Sequence, residues 1–216
     1  NGIDLKKFFP KKENKKKIFE ELNLDKKEIL IGTVGRFNSY KDFNTLFDAI
    51  GILKSNGIKF KFILAGKGNV IENVNLKKMI DKNKLADVVY LLGVRNDIPD
   101  IMNALDIYIQ SSVDEASPNV VMEAMACGTP CVVTDVGDSA HIVGNTGWII
   151  SPQNSVLMAK TIQNCLKKLG EKDWNEICDA AHLRIKDNFS LESTINSYRK
   201  IWSQINIKSN NILKNK

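Results

Sequence analysis

The feature that most constrains this chain is a repeated alternation. Short, nearly continuous apolar runs take turns with longer segments whose apolar residues recur at helical spacing. The runs fall at 28–34 (EILIGTV), 59–65 (KFKFILA), 88–92, 106–110 (DIYIQ), 131–134 (CVVT) and 146–150, each bounded by turn signals. Runs that are apolar at successive positions suit strands buried on both faces. Between them, 42–54 puts Phe43, Leu46, Phe47, Ile50 and Leu53 on one stripe, and 75–84 turns Leu76, Met79 and Ile80 to one side. A charged helix is expected at 14–22 and shorter ones at 98–105 and 139–143. The pattern predicts a Rossmann-like three-layer α/β domain with a six-stranded parallel sheet. After residue 150 only helices are expected: 155–169, 173–186, and a third beyond Ser190 with Ile195, Tyr198, Trp202 and Ile205 on one face. Residues 1–205 read as a single domain and 206–216 as a disordered basic tail.

One junction in this pattern carries most of the chemistry. Residues 111–135 read SSVDEASPNVVMEAMACGTPCVVTD. A strand empties into a polar loop with Asp114 and Glu115; Ser117 and Pro118 suit the opening of a helix, and Gly128 suits its stop. The helix carries Glu123. A helix start that follows a strand presents free N–H groups and the positive end of a dipole, which favours an anion. Two carboxylates, Glu115 and Glu123, flank that start. They suit either of two tasks: an acid–base pair for glycoside hydrolysis, or hydrogen bonding to the vicinal hydroxyls of a ribose. Glu123 stands among Val120, Val121, Met122, Ala124, Met125 and Ala126, and a carboxylate in such company needs a partner.

In a parallel sheet, ligands lie in the crevice beyond the carboxyl ends of the strands. Gly35, Arg36, Gly66, Val94, Arg95 and Glu115 all follow expected strands, so they should converge on one rim. In GRFNSYKD, Arg36 offers a planar fork and Lys41 a point charge, a pair that can neutralise a diphosphate. Gly66-Lys67-Gly68 is a tight glycine turn; Ile71 replaces the third glycine of a dinucleotide fingerprint, so it does not signal NAD. His182 lies in a polar helix, and His141 sits near the rim without a nucleophile beside it.

Composition removes several classes. The net charge of +6 is concentrated in Lys6, Lys7, Lys11, Lys12, Lys15, Lys16 and Lys17 and in the last residues, without the interleaved aromatics of a nucleic-acid binder. Those lysines read as solvated charge, or else as attraction for an anionic membrane surface. Cys127, Cys131, Cys165 and Cys178 form no C-x-x-C pair, so zinc is not expected and reduced thiols are. With no secretory signal and no apolar run of spanning length, the expected location is cytoplasmic, with the inner face of the membrane as the other option. The chain starts at Asn1-Gly2, and a piece of something longer is expected.

Taken in order, several phrases resemble the carboxy-terminal domain of glycosyltransferase family 4, retaining nucleotide-sugar enzymes of the GT-B fold. They are NGID (1–4), G-R-x4-K (35–41), AGKG (65–68), LLG (91–93), E-x7-E (115–123), EAMACGTPCVVTDVGD (123–138) and GNTGWIISP (144–152). The resemblance implies that Arg36 and Lys41 hold the donor diphosphate near Gly35 and Gly66, and that Glu115 faces the donor sugar. Those three charged residues would be the catalytic set. Glu123 would bind the ribose, and Ala116, Ser117, Pro118, Asn119 and Val120 would line the helix start. Val94 and Arg95 would border the base. It implies a UDP- or GDP-sugar as substrate, no metal and no further cofactor, no nucleic acid, and a glycan or lipid-linked acceptor reached through an amino-terminal domain. The competing expectations are a non-catalytic nucleotide-sugar or partner-binding module and a GT-B sugar-nucleotide epimerase.

Overall fold

A computed structural model describes residues 1–214. Its elements run α1 (Lys12–Glu21), β1 (Leu30–Val34), α2 (Phe43–Ser55), β2 (Lys61–Ala65), α3 (Val74–Lys82), β3 (Val89–Gly93), α4 (Ile98–Ala104), β4 (Ile107–Gln110), α5 (Asn119–Ala126), β5 (Cys131–Thr134), α6 (Ser139–Val143), β6 (Trp148–Ile150), α7 (Ser155–Lys167), α8 (Lys172–Asn188) and α9 (Leu191–Lys214). The six strands form one sheet in the order β3-β2-β1-β4-β5-β6, and every pairing is parallel. The Rossmann-like α/β architecture is therefore the one expected.

Burial explains why the runs are strands. Every residue of β1, β4 and β5 is buried, because helices cover both faces of the inner sheet. Alternate side chains enter different layers: Leu30, Ile63 and Tyr108 join the layer with α1, α4, α5, α6 and α8, whereas Ile31, Phe62, Leu64, Ile107 and Ile109 join the layer with α2, α3 and α7. The edge strands are less covered; β6 has only Ile150 buried, and its observed length is shorter than the 146–150 expected.

The chain lays down β2 and β3 on one side of β1 and then returns to place β4 on the other. The loops after β1 and β4 thus part at a topological switch point, where α/β sheets open a crevice. Strand order cannot be read from the sequence, yet it decides which loops face each other.

Helix bounds shift by a residue or two, for reasons of capping. The start of α2 is displaced by a turn of 3-10 helix, Ser39–Lys41, after which Asp42 takes a left-handed conformation (φ 45°) and accepts from Thr45 N. α9 is helical to Lys214, into the stretch expected as a tail; residues 215–216 lie outside the described residues. Its face bearing Leu191, Ile195, Tyr198 and Trp202 is exposed.

Candidate functional site

The loops after β1, β2 and β3 are pinned to one another by backbone contacts. Gly35 N donates to Ala65 O (2.9 Å), Phe37 N to Lys67 O (2.8 Å) and Gly66 N to Gly93 O (2.6 Å). Asn69, fully buried, fastens all three: its Nδ2 donates to Gly35 O (2.7 Å), its N–H to Gly66 O (3.1 Å), and its carbonyl accepts from Gly93 N (3.0 Å). Gly66 must be glycine. Its φ is +131°, and a Cβ there would lie 2.2 Å from Gly35 O. Asn69 drew no attention in the sequence, since a lone loop asparagine carries no spacing signal.

Across the switch point the β1 and β4 loops are joined twice through backbone carbonyls of the β1 loop. Ser111 Oγ donates to Lys41 O (2.6 Å), and Val113 N donates to Tyr40 O (2.8 Å). The 3-10 turn is fixed by Asn38, whose side chain accepts from Lys41 N (3.1 Å). Lys41 then reaches along Gly35, where a Cβ would sit 3.4 Å from its Cε, and its Nζ donates to Glu115 Oε1. The same carboxylate oxygen accepts from Ser112 Oγ (2.6 Å). Side-chain exposures of 22% for Lys41 and 14% for Glu115 make this a partly buried pair. Arg36 is exposed and, among the described residues, has no ion-pair partner.

At the start of α5 the structure corrects one detail. Ser117 does not cap the helix; the cap position is Pro118 (φ −74°, ψ 101°), whose ring has no oxygen to accept from the first N–H groups. Asn119 and Val120 open the helix, with Asn119 exposed and Pro118 buried. The loop ahead of it rests on the β5–α6 turn. Asp138 N donates to Ala116 O (2.9 Å), and Gly137 (φ +51°) lies so close that a Cβ would stand 2.0 Å from Glu115 O. From the other side Asn1 Nδ2 donates to Asn119 Oδ1 (3.0 Å), so the opening NGID phrase touches this helix start directly.

Glu123 is one helical turn beyond Asn119 and only part-buried, on the one face of α5 that is not packed into the core. Burial raises its carboxyl above the ordinary range, and the Lys7 ammonium partly opposes that shift. The two carboxylates thus meet different surroundings: Glu115 has a lysine and a hydroxyl, whereas Glu123 has desolvation and a more distant charge. His182 is not idle, because its Nδ1 lies 2.7 Å from Ala126 O and ties α8 to the end of α5. His141 is exposed, with its ring edge against Phe189. Asp138 caps α6 by position alone, and the buried Ser139 Oγ has no partner among the described residues.

On the β3 side, Val94 is 72% exposed at the rim. Arg95, next to it, is engaged by acidic partners. Its guanidinium binds Glu21 (2.5 and 2.9 Å) and Asp97 (2.8 and 2.7 Å), pairs that stabilise its charged form and tie α1 to the β3–α4 turn. Several lysines of the basic opening are likewise engaged, Lys15 with Asp106 and Lys17 with Asp100. Among the described residues, no three His, Cys, Asp or Glu side chains gather as a metal site, and no helix is long and apolar enough to cross a membrane.

The family model of the glycosyl transferases group 1 matches residues 14–177, more than half of the chain. Among characterised relatives, the UDP-Gal:alpha-D-GlcNAc-diphosphoundecaprenol alpha-1,3-galactosyltransferase of Escherichia coli is 34% identical over 152 residues, which is 67% of this chain and 38% of that protein. The N,N'-diacetylbacillosaminyl-diphospho-undecaprenol alpha-1,3-N-acetylgalactosaminyltransferase of Campylobacter jejuni is 33% identical over 147 residues, again 67% of this chain and 37% of that protein. The matched stretch therefore covers well under half the length of these two relatives, and the whole chain about half. A solved glycosyltransferase from Rickettsia africae superposes with a TM-score of 0.86 at 24% identity, over 95% of this chain and 56% of that one. Anabaena HepE, solved in complex with UDP and glucose, superposes with a TM-score of 0.83 at 24% identity, over 94% of this chain and 56% of that one.

Proposed function

Because this chain belongs to the glycosyl transferases group 1 family, we propose that it is the donor-binding half of a GT-B glycosyltransferase of family 4, binding a nucleotide diphosphate sugar for transfer with retention. The observation that carries this reading is the junction at the switch point, where Lys41 is bound to Glu115 four residues ahead of the start of α5, with Arg36 exposed in the same β1 loop as Lys41. Two cations and uncapped helix N–H groups suit a diphosphate, while the carboxylate suits sugar hydroxyls. A leaving diphosphate gains negative charge as its bond to the sugar breaks, and fixed positive groups stabilise that charge without a metal. Arg36, Lys41 and Glu115 would touch the reacting part of the donor, with the backbone of Gly35, Gly66 and residues 116–120 around it. Glu123 would accept from the ribose hydroxyls, and Val94 would meet the base.

The complex of Anabaena HepE with UDP and glucose supports a UDP-sugar as the first donor to try. The E. coli and C. jejuni relatives, both named for diphospho-undecaprenol acceptors, support a lipid-linked glycan as acceptor. The acceptor would be held by a further domain of a longer polypeptide at the cytoplasmic face of a membrane. Calorimetric titration of the 216-residue chain with UDP, GDP and ADP and with their sugars tests the reading. One of the three series should bind. Arg36→Ala should weaken nucleoside diphosphate binding by about tenfold, the scale of one charge-assisted contact, and leave nucleoside binding unchanged. Absence of heat with every ligand, or equal losses for nucleoside and diphosphate, would refute it.

A further inference from the structure

The two charged groups that the proposed reading assigns to different parts of the donor are bound to each other here. Lys41 Nζ donates to Glu115 Oε1, Ser112 Oγ holds that same oxygen at 2.6 Å, and both loops are stitched by the Ser111–Lys41 and Val113–Tyr40 hydrogen bonds. The contact is thus built into the switch point rather than formed by two waving side chains. We propose that the Lys41–Glu115 ion pair is a selector for the intact donor over the bare nucleoside diphosphate.

The argument is one of partner exchange, and it rests on the donor-site reading above. A diphosphate that takes Lys41 must pull it from Glu115. That leaves a partly buried carboxylate without its counter-ion and close to an anion, which is unfavourable on both counts. An intact donor supplies a replacement for each half of the pair: phosphate oxygens for the ammonium, and sugar hydroxyls that donate to the carboxylate. The nucleoside diphosphate left after transfer supplies only the first. The pair therefore penalises the product more than the substrate, and its re-formation assists product release. Arg36, exposed and unpaired among the described residues, provides attraction to either ligand without contributing to the choice.

Glu115→Gln tests this, because the amide keeps the shape and can still accept from Ser112 and from a sugar hydroxyl while losing the charge that holds Lys41. Dissociation constants are measured by calorimetry for UDP and UDP-glucose, GDP and GDP-mannose, and ADP and ADP-glucose, on wild type and variant, with melting temperature as a check of folding. In the wild type the sugar nucleotide should bind more tightly than its nucleoside diphosphate. In Glu115→Gln the nucleoside diphosphate should tighten by about fivefold, the upper scale of a surface ion pair as suits one that is partly buried, and the sugar nucleotide should not. Ser112→Ala, which only loosens the carboxylate, should shift the ratio in the same direction by less. If nucleoside diphosphate affinity falls or stays level in Glu115→Gln, or if the wild type favours the nucleoside diphosphate, the selector is overturned while the donor site stands. If the wild type binds none of the probes, both fall together.

Discussion

Gly137→Ala is the most informative single perturbation, because it strikes the donor loop from beneath without altering any residue proposed to touch the ligand. At φ +51° an alanine is strained, and its Cβ would stand 2.0 Å from Glu115 O, 2.6 Å from Ala116 O and 2.7 Å from Glu115 C. A carbon and a carbonyl oxygen settle at about 3.3 Å, so the two backbones must part by about 1.3 Å. None of the three clashing atoms is the tip of a flexible side chain. Left-handed strain of about 1–2 kcal/mol and overpacking of about 1–3 kcal/mol together destabilise by about 2–5 kcal/mol, which for a domain of this size lowers Tm by about 5–15 °C. The displaced atoms belong to Glu115 and Ala116, and a misplacement of about 1 Å at a positioned group costs about a hundredfold in function. Thermal melting and calorimetry with the best-bound sugar nucleotide read both effects. Gly57→Ala is the control: φ is +75°, but a Cβ there meets nothing within 4 Å. It should lower stability by about 1 kcal/mol and leave binding alone. Should the two variants melt together and bind alike, the β5–α6 turn does not support the donor loop and the reasoning fails.

Two further outcomes follow from the charges. Burial raises the Glu123 carboxyl above its ordinary 4.5, so the unfolded chain ionises first as pH climbs. The folded state thus loses stability from that pH up to the raised value, and below it suffers no loss. Glu123→Gln should melt above wild type at pH 7 and with it at pH 3.5, and should bind UDP and 2′-deoxy-UDP alike; a stability gain that persists in acid would contradict the desolvation argument. Arg95→Met removes ion pairs to Glu21 and Asp97 that are 22–39% exposed, and should cost about 1–2 kcal/mol with nucleotide affinity held within about twofold. A loss of affinity equal to that of Arg36→Ala would instead place its guanidinium on the ligand.

What was legible in the sequence is what local chemistry dictates. Apolar runs became strands because each inner strand has core on both faces, and Gly128 ended α5 at φ +77° as a glycine after a helix should. Where structure and local preference differ, a tertiary contact displaces the preference. Ser117 is a good cap in isolation, but the backbone around it is fixed by Asp138 N on Ala116 O, and the cap position moved to Pro118. His182 looked inert because its partner, Ala126 O, is 56 residues away in the chain. Asn69, Ser112 and Gly137 carry no local signal for the same reason, since each acts on a backbone or side-chain atom that only the fold brings near.

Spacing and topology divide the work at the E-x7-E phrase. With α5 starting at Asn119, the eight-residue spacing puts Glu115 in the loop and Glu123 a turn inside the helix. Strand order then assigns the environments. Because β4 lies beside β1 rather than beside β3, the loop carrying Glu115 faces the loop carrying Lys41, and the ion pair follows. The same return of the chain brings Asn1 and Lys7 to the far side of α5, next to Asn119 and Glu123. One carboxylate is therefore paired with the cation that, on the proposed reading, a diphosphate draws away. The other is left short of partners, which is the condition in which a carboxylate gains most from a pair of ribose hydroxyls.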